Sequence, residues 1–310
     1  MISLIKSIFA FIKSDFSWKI YLSIFLFTVA LVVFEYNTFL YDKLDMKFSY
    51  TPKVYLLNFL YFSFAYFVPV ILVKSFSSSK IKLNTRFWIK GILGIIIISL
   101  YVSFYSFYKL VYKLPSPDYY YWYYTLSNAS GLLIVVLPLA IIYLIFDRKS
   151  EVPFYGANLK HFNFRLALLL SVIAFLIALL GVKFSDVSNY YPIVNRTGYE
   201  SFAAKHGISK IFSAGLFELS YMFDFAIVEL IFRGFMIFAF VKFLGKKAVL
   251  PVAVLYTVIH FGKPLPETIS SFFGAYILGI IAINQKNIGI GVVLHCVLAF
   301  SVEMLTLVKS

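Results

Sequence analysis

Charge is scarce in this 310-residue sequence: Asp, Glu, Lys and Arg together make up 14% of it, where ordinary globular domains carry roughly a quarter. That scarcity excludes intrinsic disorder. It also excludes a soluble fold, because hydrophobic residues fill 61% of the chain and no soluble interior of this length hides so much apolar surface. Cysteine is nearly absent: Cys296 stands alone, so there is neither an intramolecular disulfide nor a disulfide scaffold. Acidic residues number 14 against 28 basic ones, a net charge of +14. In a soluble domain that surplus would suggest nucleic acid. Here the basic residues fall mostly between apolar runs, where membrane topology and anionic headgroups account for them. Membrane lipid is the expected partner and nucleic acid is not.

What the sequence does contain is long apolar segments, with a mean hydropathy of +0.88. They predict an all-α, polytopic transmembrane bundle of eight or nine spans. The candidate spans are 20–40, 54–73, 91–108, 122–146, 166–182, 213–241, 248–261, 269–284 and 288–308. Ahead of them Ile5, Ile8, Phe9 and Ile12 repeat at helical spacing and predict a short interfacial helix. The aromatic run 119–124 reads as an interfacial belt. Lys and Arg in the loops lean toward an N-terminus on the inner side. The longest polar connection, 183–210, divides the chain into an N-terminal region of five spans, 1–210, and a C-terminal core of four helices, 211–310. The first region reads as almost purely lipophilic, which leaves the chemistry to the second.

A charged side chain at bilayer depth costs about 2.5–3.5 kcal/mol on insertion scales, so those present need a reason. The sixth span carries Glu218, Asp224, Glu229 and Arg233; the seventh ends in His260; the ninth carries His295 and Glu303. Glu229 and Arg233 are four apart, on one helical face, and can pair. Asp224 lies about 140° around the helix from Glu229, and Glu303 is expected near an interface. Each residue alone has a bland reading: a structural ion pair, an interior hydrogen-bonded histidine, and in Cys296 a small packed side chain. One carboxylate, one guanidinium and two imidazoles on three neighbouring spans make the candidate site.

These residues sit in an ordered frame. Val228-Glu229-Leu230-Ile231-Phe232-Arg233-Gly234 resembles the Glu-Glu-x-x-x-Arg-Gly motif of the CAAX protease and bacteriocin-processing family of intramembrane proteases. Tyr256-Thr257-Val258-Ile259-His260 resembles its Phe-x-x-x-His motif, and His295-Cys296-Val297-Leu298-Ala299 its His-x-x-x-Asn motif. The resemblance covers roughly residues 223 to 307. It implies an endopeptidase acting on membrane-associated peptides or proteins, in the cytoplasmic membrane of a bacterium. In that family the first Glu activates water, the histidines position it or stabilise the oxyanion, and the Asn assists. Carried over, the resemblance names Glu229, Arg233, His260 and His295 as catalytic, and Glu229, His260 and His295 as candidate ligands of a divalent metal such as zinc.

Two motif positions depart from the family. Val228 stands where the first Glu is expected and Ala299 where the Asn is expected. Glu229 is the second Glu of the motif, a rotation of about 100° from position 228. The expected activity is therefore that of a degenerate peptidase. The alternative is a non-catalytic membrane protein that binds a peptide or partner in the same cavity. Ser271, Ala275 and Gly279, spaced by four, predict a small-residue face on the eighth span for close helix packing.

Overall fold

The computed structural model describes residues 2–78, 80–104, 107–158, 162–184 and 186–309. All regular structure among them is helical. The first five helices are α1 (Ile2–Asp15), α2 (Trp18–Thr38), α3 (Leu40–Phe48), α4 (Lys53–Phe76) and α5 (Thr85–Ser103). Next come α6 (Tyr108–Val111), α7 (Asp118–Ala129), α8 (Leu137–Ile142), α9 (Phe164–Phe184) and α10 (Tyr199–His206). The last are α11 (Lys210–Glu229), α12 (Val241–Leu244), α13 (Val249–Val258), α14 (Leu265–Gln285) and α15 (Gly289–Lys309). A π-helix, Leu230–Phe238, follows α11 directly.

Seven helices among the described residues are long and apolar enough to cross a membrane: α2, α4, the helix starting at Thr85, the run Asp118–Asp147, α9, α14 and α15. In Asp118–Asp147 and in α9 only 22% of the most apolar stretch is buried inside the protein. Side chains such as Leu133 and Leu168 thus point outward, as they do where lipid is the solvent. The chain is a multi-pass integral membrane protein. Two of the nine expected spans do not reach spanning length or composition. Segment 213–241 is interrupted after Glu229 and carries three carboxylates, and 248–261 yields a helix of ten residues.

The chain forms two compact units that interleave along the sequence. The first comprises residues 1–103, 139–163 and 230–291. Its centre is α13, every residue of which is buried; a helix apolar all round is one enclosed by others, and α14, α4 and α2 pack on it. The predicted small-residue face is present, with Ser271, Ala275 and Gly279 all buried. A Cβ placed on Gly279 would lie 2.6 Å from Val249 Cγ1, so only a bare backbone lets α14 approach this closely. The expected N-terminal helix is present as α1, with Phe11 and Asp15 buried against the protein while Phe9 is 68% exposed. Lys247 Nζ donates to Asp15 Oδ1 at 2.8 Å.

The N-terminal spans are less purely lipophilic in structure than in sequence. Glu35 is buried, and its two oxygens accept the backbone N–H groups of Tyr41 and Asp42 at 2.9 and 3.1 Å, capping α3. Lys90 is fully buried and donates to Asp147 Oδ2 at 3.1 Å and to the Ala239 carbonyl at 2.6 Å. Asp147 also accepts from Lys242 at 3.0 Å and from the Tyr155 hydroxyl at 3.2 Å.

The second unit comprises residues 104–138, 164–229 and 292–310. Here α7 packs against α11 and α10. Tyr121, read from the sequence as part of an interfacial belt, is instead a core residue. Its ring stacks on Phe202 at 3.8 Å and its hydroxyl donates to the Ser213 carbonyl at 2.8 Å. Glu303, expected near an interface, is 0% exposed. Its carboxylate accepts the backbone N–H groups of Ile193 and Val194 at 2.8 and 3.2 Å, which satisfies a turn in the long connection before α10.

Candidate active site

Two of the expected site residues meet in the second unit. Glu229 closes α11 and His295 lies in the first half of α15, with Nδ1 of the imidazole 3.2 Å from Oε1 of the carboxylate. A carboxylate only accepts, so Nδ1–H is the donor, and a neutral ring then carries its lone pair on Nε2. Phe225, one turn before Glu229 on the same helical face, packs on the His295 ring with centroids 4.3 Å apart. Carboxylate and aromatic ring together fix the imidazole's orientation. Glu229 is wholly buried, whereas the His295 side chain keeps 17% of its surface. On the same two helices Cys296 Sγ donates to the Met222 carbonyl at 3.4 Å, in keeping with a small packed side chain. Asp224 is half-buried.

The other two expected residues belong to the first unit. Arg233 is 1% exposed, and its guanidinium carbon stands 4.0 Å from the centroid of the Tyr256 ring. Phe232 meets the edge of that ring at 5.0 Å. Arg233 is carried on the π-helix Leu230–Phe238, a turn with i→i+5 bonding of the kind often found at functional sites. The ring partner of Arg233 comes from α13, and sequence reasoning missed it; the signal was an aromatic residue four before His260. Gly234 follows for a steric reason: a Cβ there would sit 3.0 Å from the Tyr155 carbonyl oxygen. His260, just past α13, is 8% exposed. Its Nδ1–H donates to the Tyr256 carbonyl at 2.7 Å, which again assigns the lone pair of the neutral ring to Nε2. The His260 carbonyl accepts from Thr268 Oγ1 at 2.8 Å, and Tyr36 OH lies 2.6 Å from that hydroxyl.

Of the candidate metal ligands, Glu229 and His295 lie in the second unit and His260 in the first. Among the described residues no group of three or more His, Cys, Asp or Glu side chains could hold a metal ion.

No curated protein and no solved structure matches the chain. Residues 210–301, which contain Glu229, Arg233, His260 and His295, match the family model of the Rce1-like type II CAAX prenyl endopeptidases, which bears out over this segment the resemblance to the CAAX protease and bacteriocin-processing family.

Proposed function

We propose that the protein is a CAAX-protease-like intramembrane peptidase whose hydrolytic power is reduced by two substitutions within its own motifs. The observation that carries this reading is the Glu229–His295 contact, inside the segment that matches the family. Peptide hydrolysis needs a base for water and donors for the developing oxyanion. A carboxylate with no exposed surface is poorly placed to meet water, but the imidazole it holds is not. Glu229 thus acts as the orienting group, and Nε2 of His295 receives the proton, a division of labour common to carboxylate–imidazole pairs. By the resemblance, Arg233 and His260 are proposed as further catalytic residues; within the first unit Tyr256 holds both, Arg233 by its ring and His260 by its carbonyl. Val228 and Ala299 leave the first carboxylate and the carboxamide of the family pattern unfilled.

The proposed substrate class is a prenylated CAAX peptide presented at the surface of a bacterial cytoplasmic membrane. Purified protein in proteoliposomes should cleave such a peptide slowly, and His295→Ala should abolish the cleavage. Cleavage equal in both proteins would end this reading. Val228 and Ala299 also favour a second one, a non-catalytic protein that holds a membrane peptide at the same residues. Capture of a photo-crosslinkable peptide without any cleavage, dependent on His260 and His295, would establish that alternative.

A further inference from the structure

In the first unit, away from Arg233 and His260 in sequence and composition, lies a cavity of about 740 Å³ whose charged lining is Arg86, Asp147, Arg148, Lys149, Glu151 and Lys242. Four cations thus face two carboxylates, and both carboxylates are already engaged. Asp147 is buried and satisfied by Lys90 from beneath, by Lys242 at 3.0 Å and by Arg86 at 4.0 Å. Glu151 pairs with Lys286 at 3.1 Å. Arg148 and Lys149 have no carboxylate partner among the described residues. The cavity therefore holds a surplus of positive charge that the protein itself does not neutralise. Leu144, Ile145 and Phe146 add apolar surface to the lining, and Ile141 continues it along the helix. Ile141, Leu144 and Ile145, on one face of the helix that ends at Asp147, are 50%, 61% and 67% exposed. They lead along a membrane-spanning helix straight to the basic lining.

We propose that this cavity is a binding site for an anionic phospholipid, with the phosphate among Arg86, Arg148, Lys149 and Lys242 and an acyl chain along Ile141, Leu144 and Ile145. Positive charge at the end of a span attracts anionic headgroups. Arginine adds a forked donor geometry that suits phosphate oxygens. The apolar strip distinguishes a lipid from a soluble anion, since inorganic phosphate has nothing to lay on it.

Native mass spectrometry of the full chain in detergent, with phosphatidylglycerol, phosphatidylcholine or inorganic phosphate added, tests the site. Phosphatidylglycerol should be retained in preference to phosphatidylcholine. Arg148→Gln with Lys149→Gln should weaken that retention roughly 30-fold, about fivefold per cation removed. Both side chains are exposed, so this double variant should fold normally, which its thermal transition in phosphatidylcholine reports. Lys109→Gln with Lys113→Gln, exposed cations outside the cavity, should leave retention unchanged. Equal retention of the two lipids, equal loss in the control pair, or stabilisation by inorganic phosphate as great as by lipid would each overturn the proposal.

Discussion

His295 donates its Nδ1–H to Oε1 of Glu229 at 3.2 Å, and of the two only the imidazole reaches any surface. On the proposed reading the carboxylate acts through the ring. If Glu229 is an orienting group, its variants should separate charge from geometry. Glu229→Gln keeps an acceptor for Nδ1–H and loses the charge, whereas Glu229→Leu loses both. Base assistance contributes typically 100- to 10,000-fold. Cleavage should thus fall less in the Gln variant than in the Leu variant, with Leu as damaging as His295→Ala. Kinetic assay of all three checks the order, and a Gln variant as inactive as the Leu variant would instead assign the base role to Glu229 itself.

Arg233 and Tyr256 make a second separable pair. With the guanidinium 1% exposed and 4.0 Å from the ring, a desolvated cation–π contact is worth about 2 kcal/mol. Tyr256→Phe keeps the ring and should change stability little. Tyr256→Leu should cost about 2 kcal/mol and also lower activity, because it releases Arg233. Denaturation in a defined detergent distinguishes them, and equal losses would show that the hydroxyl, not the ring face, matters.

Lys90 is fully buried and its charge is answered by Asp147. Removing one partner of such a pair strands the other, at about 3–5 kcal/mol, while replacing both with apolar residues is often neutral. Asp147→Ala should therefore lower stability by about that amount. Lys90→Met with Asp147→Leu should recover most of it, since Lys242 and Arg86 reach water on their own. A double variant no better than the single would mean that the Ala239 carbonyl, which Lys90 also serves, dominates.

The fold class was legible because apolar runs of spanning length have one physical outcome, and the spacing of Ser271, Ala275 and Gly279 announced a close helix contact that Gly279 and Val249 make. The ionisable residues were legible as unusual, but not their partners. Glu35, Lys90 and Glu303 each meet their partners through tertiary structure or through a turn that no periodicity marks: the first turn of α3 at Tyr41, a carboxylate 57 residues on, and the backbone of residues 193–194. Tyr121 looked like a headgroup-depth aromatic because the sequence could not show that the polar connection after α9 supplies Phe202 to cover it. The π-helix that begins at Leu230 leaves no compositional trace.

Glu218 and Glu303 are both buried carboxylates of the second unit, yet opposite effects are expected on neutralising them. Neither oxygen of Glu218 has a hydrogen-bond partner among the described residues, so Glu218→Met should be neutral or stabilising, because an unsatisfied buried group is removed. Glu303 accepts two backbone N–H groups, and Glu303→Ala would orphan both, at about 1–3 kcal/mol each. Thermal transitions of the single variants decide this, and destabilisation by Glu218→Met comparable to Glu303→Ala would show that Glu218 has a structural partner.

Restoring the family pattern is the strongest test of the degenerate reading. Val228 is half-buried and directly precedes Glu229, so Val228→Glu would set a carboxylate about 100° around the helix from the one that holds His295. Position 299 lies one helical turn beyond His295, on the same face, so Ala299→Asn would bring a carboxamide beside the imidazole. If the two missing groups limit the chemistry, the double variant should cleave a prenylated CAAX peptide at least 10-fold faster than the wild type, toward the 100-fold that base assistance typically contributes. Each single variant should gain less, since base and carboxamide act in one transition state and such contributions are not additive. His295→Ala in the double-variant background should remove the gain if the new carboxylate works with the existing imidazole. A wild type already fast, and unimproved by either substitution, would show that Glu229 and His295 suffice and that Val228 and Ala299 are no defect.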